Sequence, residues 1–131
     1  MTTVTPSLLL VCSDLMLGSK VTAAARAAEF ELTRTLSQTK AFEKLEATTF
    51  DAIVVDLEIE PLESVKLLLA AGDAVPVAFV SHVRTDLIAE ARAAGWNVLT
   101  RGQMASSGPI VLRQIRERIE EKGVDEGHTP G

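Results

Sequence analysis

The sequence has little with which to brace itself covalently or to reach a charged partner. Its 131 residues include one cysteine, one tryptophan and no tyrosine. A lone Cys12 closes no internal disulfide, so nothing points to an oxidising compartment. Thirteen Lys and Arg face eighteen Asp and Glu, for a net charge of −5, and no basic block interrupts the chain. Nucleic-acid binding leaves a clustered Lys/Arg footprint, so no nucleic-acid partner is expected. No apolar run approaches the ~20 residues of a membrane span. No basic stretch followed by a signal-length apolar segment opens the chain. The expectation is a cytoplasmic protein without membrane contact. Neither GxGxxG nor GxxxxGK[ST] occurs, so nucleotide binding by those loops has no support, and no organic cofactor is expected.

What is present is aliphatic. Nearly half the residues are hydrophobic but only four are Phe. Val, Ile, Leu and Ala must fill the interior, which suits a layered helix–sheet–helix packing. The length is that of one compact domain, set at residues 1–122. Residues 123–131, ending VDEGHTPG, have nothing to bury and are expected to form a disordered tail.

Apolar runs alternate with helix-period segments. LLLVC (8–12), AIVVDL (52–57) and VPVAFV (75–80) read as strands buried on both faces. ELTRTL (31–36) alternates and reads as a more exposed strand; NVLT (97–100) is a short fifth. Between strands one and two, Leu17, Val21, Ala24, Ala25 and Ala28 form one helical stripe. Ser37 caps a helix to about Thr48, with Phe42 and Leu45 inward. Pro61 opens the next, with Leu62, Val65, Leu68 and Leu69 as its apolar face. Thr85 or Asp86 caps a fourth, which stops at Gly95. Ser107, Gly108 and Pro109 open the last, with Val111, Ile115 and Ile119 inward and Arg113 and Arg116 outward, and Gly123 ends it. The order is (βα)₅, an α/β fold with a doubly wound five-stranded parallel sheet. Such a sheet places its crevice beyond the carboxyl ends of the strands. The residues brought there are Ser13, Asp14, Asp56, Glu58, Ser81, His82, Thr100 and Arg101.

Three segments, FDAIVVDLE, VPVAFVSHV and EARAAGWNVLTR, resemble the receiver domain of two-component response regulators. The resemblance spans Leu8 to about Ile119 and implies the flavodoxin-like receiver fold. It makes Asp56 the phosphoacceptor, Ser81 the hydroxyl and Arg101 the cation (Arg where the family has Lys) that hold phosphoryl oxygens. It also implies Mg²⁺ held by carboxylates, here Asp14 and Asp56, because the chemistry needs a cation beside an acid nucleophile. The chain departs from the pattern elsewhere. The acidic pair of strand one falls at Cys12–Ser13, or at Ser13–Asp14, so at most one carboxylate is present. Val98 stands where the family has an aromatic, Pro61 is one residue late, Ser64 replaces a Gly, and Gly102 replaces the Pro that follows the cation. These departures resemble the atypical, pseudo-receiver class.

Each candidate also has a plainer role. Asp14 serves as a helix cap, Asp56 as a polar strand end and Arg101 as an ion-pair partner of Asp56 that holds a phospho-independent state. Glu58 either replaces a missing metal ligand or repels a phosphoryl group. His82 is an ordinary loop residue or a group titrating beside the crevice. Arg84, Arg92, Arg113 and Arg116 are solvated, or belong to the face that receivers use for dimers and partners. The expected function is a stand-alone, non-enzymatic signalling domain of the phosphorelay type. It acts through protein contacts, with a histidine kinase or a second copy as partner. The alternative is a phosphotransfer enzyme resembling sugar-phosphotransferase IIB proteins, with Cys12 as nucleophile above the loop VCSDLMLGS. The bulk of Leu15, Met16 and Leu17 and the Gly18 in place of Arg argue against that loop.

Overall fold

A computed structural model describes residues 5–127, with side chains described as far as Glu121. Five strands, β1 (Ser7–Val11), β2 (Glu31–Thr35), β3 (Ala52–Asp56), β4 (Val75–Val80) and β5 (Asn97–Thr100), alternate with five helices. The helices are α1 (Leu15–Ala27), α2 (Gln38–Ala47), α3 (Ser64–Ala71), α4 (Thr85–Ala94) and α5 (Arg101–Gly127). All strand pairs are parallel, in the order β2-β1-β3-β4-β5. Consecutive residues of β1 and β3 feed opposite faces. Leu8, Leu10 and Val54 pack with α1 and α5. Leu9, Val11, Ile53 and Val55 pack on the side of α2, α3 and α4. The central strands are therefore apolar apart from Ser7 at the start of β1 and Asp56 at the end of β3, while the edge strand β2 is only partly covered. Among the described residues, no helix is long and apolar enough to cross a membrane.

Local signals set most boundaries. The Asp14 and Ser37 side chains accept from the amides of Leu17 (3.0 Å) and Lys40 (3.2 Å), capping α1 and α2. Gly95 ends α4 in the left-handed region at φ 118°, where a side chain would be strained.

Four details differ from the sequence reading. Helix α3 starts at Ser64, not Pro61, and the cluster Leu67, Leu68, Leu69 resolves onto a different face. Leu67 is fully buried, while Val65 and Leu69 are exposed. Helix α4 is entered from Arg84 without a side-chain cap, so neither Thr85 nor Asp86 caps it. Helix α5 begins at Arg101, well before Ser107. Thr100 and Gln103 form a reciprocal capping box, with Gln103 N–H donating to Thr100 Oγ1 at 3.0 Å and Thr100 N–H to Gln103 Oε1 at 2.9 Å. Pro109 then sits inside the helix, on its exposed side. The helix passes Gly123 and reaches Gly127; the rest of the expected tail lies outside the described residues. Finally, Arg116 turns inward to donate to the carbonyls of Ala28 (2.9 Å) and Glu29 (2.6 Å), tying α5 to the end of α1.

Candidate functional site

The carboxyl ends of β1, β3 and β5 meet at one guanidinium. Arg101 opens α5 directly after β5. Its Nη1 donates to Asp56 Oδ2 at 2.9 Å and to Glu58 Oε2 at 3.2 Å. Its Nη2 donates to Asp14 Oδ2 at 2.6 Å. Behind it lies the Phe79 ring, with the centroid 5.5 Å from Cζ, close enough for a cation–π contribution. One cation thus bridges three carboxylates, that of Asp14 in the turn after β1, that of Asp56 at the end of β3 and that of Glu58 in the loop that follows.

Each acid is fixed by its own backbone context. Asp56 closes β3 opposite Phe79 of β4 and is almost wholly buried. Its Oδ1 accepts from the amide of Glu58 at 2.9 Å. Glu58 spans the gap to β4, where its Oε2 also accepts from the amide of Ser81 at 3.2 Å. Asp14 divides its oxygens: Oδ1 caps α1 and Oδ2 meets Arg101. The Leu17 amide, with help from Arg101, holds the Asp14 carboxyl below its usual range. Burial pulls the Arg101 pKa down, but the hydrogen bond and charge of Asp56, joined by Asp14 and Glu58, outweigh it and the net shift is upward. Arg101 is therefore cationic at any physiological pH.

The arrangement brings together Asp14, Asp56, Glu58 and Arg101, and enlists Ser81 through its amide. The Ser81 hydroxyl makes no hydrogen bond to Asp56 or Arg101 among the described residues. His82 is exposed and stands apart from the clamp. Cys12 is fully buried, its thiol directed at the Asp14 carbonyl at 3.6 Å, and burial pushes its pKa up. A catalytic thiolate needs the opposite on both counts.

Two contributors are not visible in the sequence motifs. Phe79 reads there only as a core residue of VPVAFV. Arg34, on the edge strand, folds over the β1–α1 turn and donates from Nη2 to the carbonyls of Asp14 (3.1 Å) and Cys12 (3.4 Å). Gly18 makes room for it, since a Cβ there would lie 2.2 Å from Arg34 Nη2. A charged residue opposite a glycine is a weak signal across a gap of sixteen positions.

No protein-family model and no curated sequence matches the chain. Solved structures do. A signal receiver domain from Vibrio parahaemolyticus superposes with a TM-score of 0.79 at 16% identity, covering 95% of this chain and 100% of the other. The signal receiver domain of an HD domain-containing protein from Pseudomonas fluorescens Pf-5 gives 0.75 at 19%, covering 93% and 96%. The receiver domain of a sensor histidine kinase from Pseudomonas aeruginosa PAO1, which has a magnesium ion coordinated in its active site cleft, gives 0.69 at 19%, covering 85% and 97%. The fold of this chain is that of response-regulator receiver domains.

The donor set does not suit Mg²⁺ while Arg101 is in place. Among the described residues no group of three or more His, Cys, Asp or Glu side chains is arranged to hold a metal ion. Each of Asp14, Asp56 and Glu58 gives one oxygen to the guanidinium, and the second oxygens of Asp14 and Asp56 accept from backbone amides, whereas Mg²⁺ demands oxygen ligands free to form an octahedron.

Proposed function

We propose that this chain is a receiver-like protein-interaction domain whose state is set by the Arg101 clamp and not by phosphorylation of Asp56. The observation that carries this reading is the single guanidinium within 2.6–3.2 Å of Asp14, Asp56 and Glu58. A receiver needs Asp56 free to attack and a metal to neutralise the incoming charge. Here Asp56 is paired and buried, and the cation is built into the chain. Arg suits that role better than Lys because its planar fork serves several carboxylates at once. The signalling output then passes through a protein partner, a histidine kinase or a second copy, that recognises the closed surface.

The experiment is an amide-shift titration of the whole chain with millimolar Mg²⁺ and beryllofluoride, repeated with a small acyl-phosphate donor. The expected result is no specific shift at Asp56, Ser81 or Arg101 and no covalent phosphoryl group by mass. Saturable shifts centred on those residues would overturn the reading and restore a working phosphoacceptor. For the Cys12 alternative, rapid alkylation by iodoacetamide at neutral pH in the folded protein would favour a thiol enzyme; an unreactive thiol is expected.

A further inference from the structure

We propose that the groove between α1 and β2 is a binding site for a phosphate group, free or carried on a small organic monoester. The groove has a volume of about 460 Å³ and is lined by Ser19, Thr22, Ala23, Arg26, Leu32 and Arg34. Pockets of this order hold small molecules. It lies on the open flank of an edge strand, so Leu32 and Arg34, two apart on β2, face it from one side of the sheet.

The charge in this groove is uncompensated. The chain carries a net charge of −5, yet among the described residues neither Arg26 nor Arg34 pairs with a carboxylate. Arg34 spends only Nη2, on two carbonyls, and its Nε is closed off from solvent without any partner. A buried donor left unmet is rare and needs a reason. The enclosed Nε is not itself open to the groove, but Nη1 makes no hydrogen bond among the described residues, so an anion in the groove is met by Nη1 and balances the guanidinium charge. The Arg26 side chain makes no hydrogen bond among the described residues and is exposed along the groove. Ser19 offers a hydroxyl, whereas the Thr22 hydroxyl is spent on the Gly18 carbonyl at 2.7 Å.

Two guanidiniums and a hydroxyl match a dianion with several acceptor oxygens better than a carboxylate with two. Ala23 and Leu32 give an apolar wall on which an organic body can rest. A polyanion such as nucleic acid is disfavoured, because no basic track continues beyond the groove. Arg34 also holds the Asp14 carbonyl, so the groove and the Arg101 clamp share the β1–α1 turn.

The test is a ¹H–¹⁵N titration of the full chain at constant ionic strength, once with inorganic phosphate and once with phenyl phosphate. Wild type is compared with Arg26→Gln, which removes an exposed side chain and leaves the fold intact. Saturable shifts confined to the amides of Ser19, Thr22, Arg26 and Arg34 are expected, with affinity about tenfold weaker in Arg26→Gln. Tighter binding of phenyl phosphate assigns the site to monoesters; equal binding assigns it to the free anion. Absence of saturable binding by both probes, shifts centred elsewhere, or equal affinity in Arg26→Gln would each overturn the proposal.

Discussion

Arg101 and Arg34 grip the same residue from opposite sides and do opposite things with their charge. Arg101 takes the Asp14 carboxylate, together with those of Asp56 and Glu58. Arg34 takes the Asp14 carbonyl and that of Cys12 and meets no carboxylate among the described residues. The first guanidinium closes a site; the second leaves one open. The contrast teaches that burial of a cation has two meanings. Where the surrounding groups are acids, its charge is spent on them. Where they are neutral carbonyls, its charge is still available for a ligand.

The comparison is broken most severely by Arg101→Ala. Three carboxylates then face one another with no counter-ion, and Asp56 cannot be rehydrated. The expected loss is about 3 kcal/mol in urea unfolding at neutral pH, at the lower end of the cost of orphaning a buried charge. Arg34→Ala should cost less, about 1–2 kcal/mol, because it frees two carbonyls and no charge.

A double-mutant cycle sharpens the role of Arg34. In wild type, Gly18→Ala gains up to ~1 kcal/mol of helix propensity but drives a methyl into the guanidinium, so no net gain is expected. In the Arg34→Ala background the same change should stabilise by the full ~1 kcal/mol. Equal effects in both backgrounds would show that Arg34 and Gly18 are not coupled.

Arg101→Lys keeps the charge and loses the fork. One ammonium cannot bridge three acids with the same geometry, and a loss of about 1 kcal/mol is expected in the same assay. The smallest effect is in acid. The Asp14 carboxyl is held low in the fold by the Leu17 amide and then by Arg101. Its contribution is therefore complete above the unfolded pKa of about 3.9 and fades as pH falls through the lower folded value. Thermal scans from pH 7 to pH 3 should show a decline confined to the acid end, shallower in Asp14→Asn.

Much of this was legible in the residues themselves. The continuous apolar runs of β1, β3 and β4 give a parallel sheet, and the sheet places Asp14, Asp56 and Arg101 at one end. That end leaves Arg101 as either a phosphoryl-holding cation or a partner of Asp56, and Asp14 as either a metal ligand or a cap; the pairing and the cap are what the structure shows. What was not legible depends on side chains choosing between partners. Glu58 had two opposite readings until its carboxylate was seen to lie between Arg101 and the Ser81 amide. The start of α5 was hidden because Ser107, Gly108 and Pro109 look like a helix entry, while the true cap, Thr100 of the Thr100–Gln103 box, lies seven residues earlier. Arg34 was missed because β2 alternates like any edge strand, and periodicity does not reveal a side chain that folds back over a distant glycine.

The central claim, that a guanidinium stands where a receiver would need a metal, is tested most directly by thermal unfolding with and without millimolar Mg²⁺. The wild-type midpoint should not move, and that of Arg101→Ala should rise as the freed carboxylates take up the ion. A rise in wild type, or none in the variant, would contradict the account.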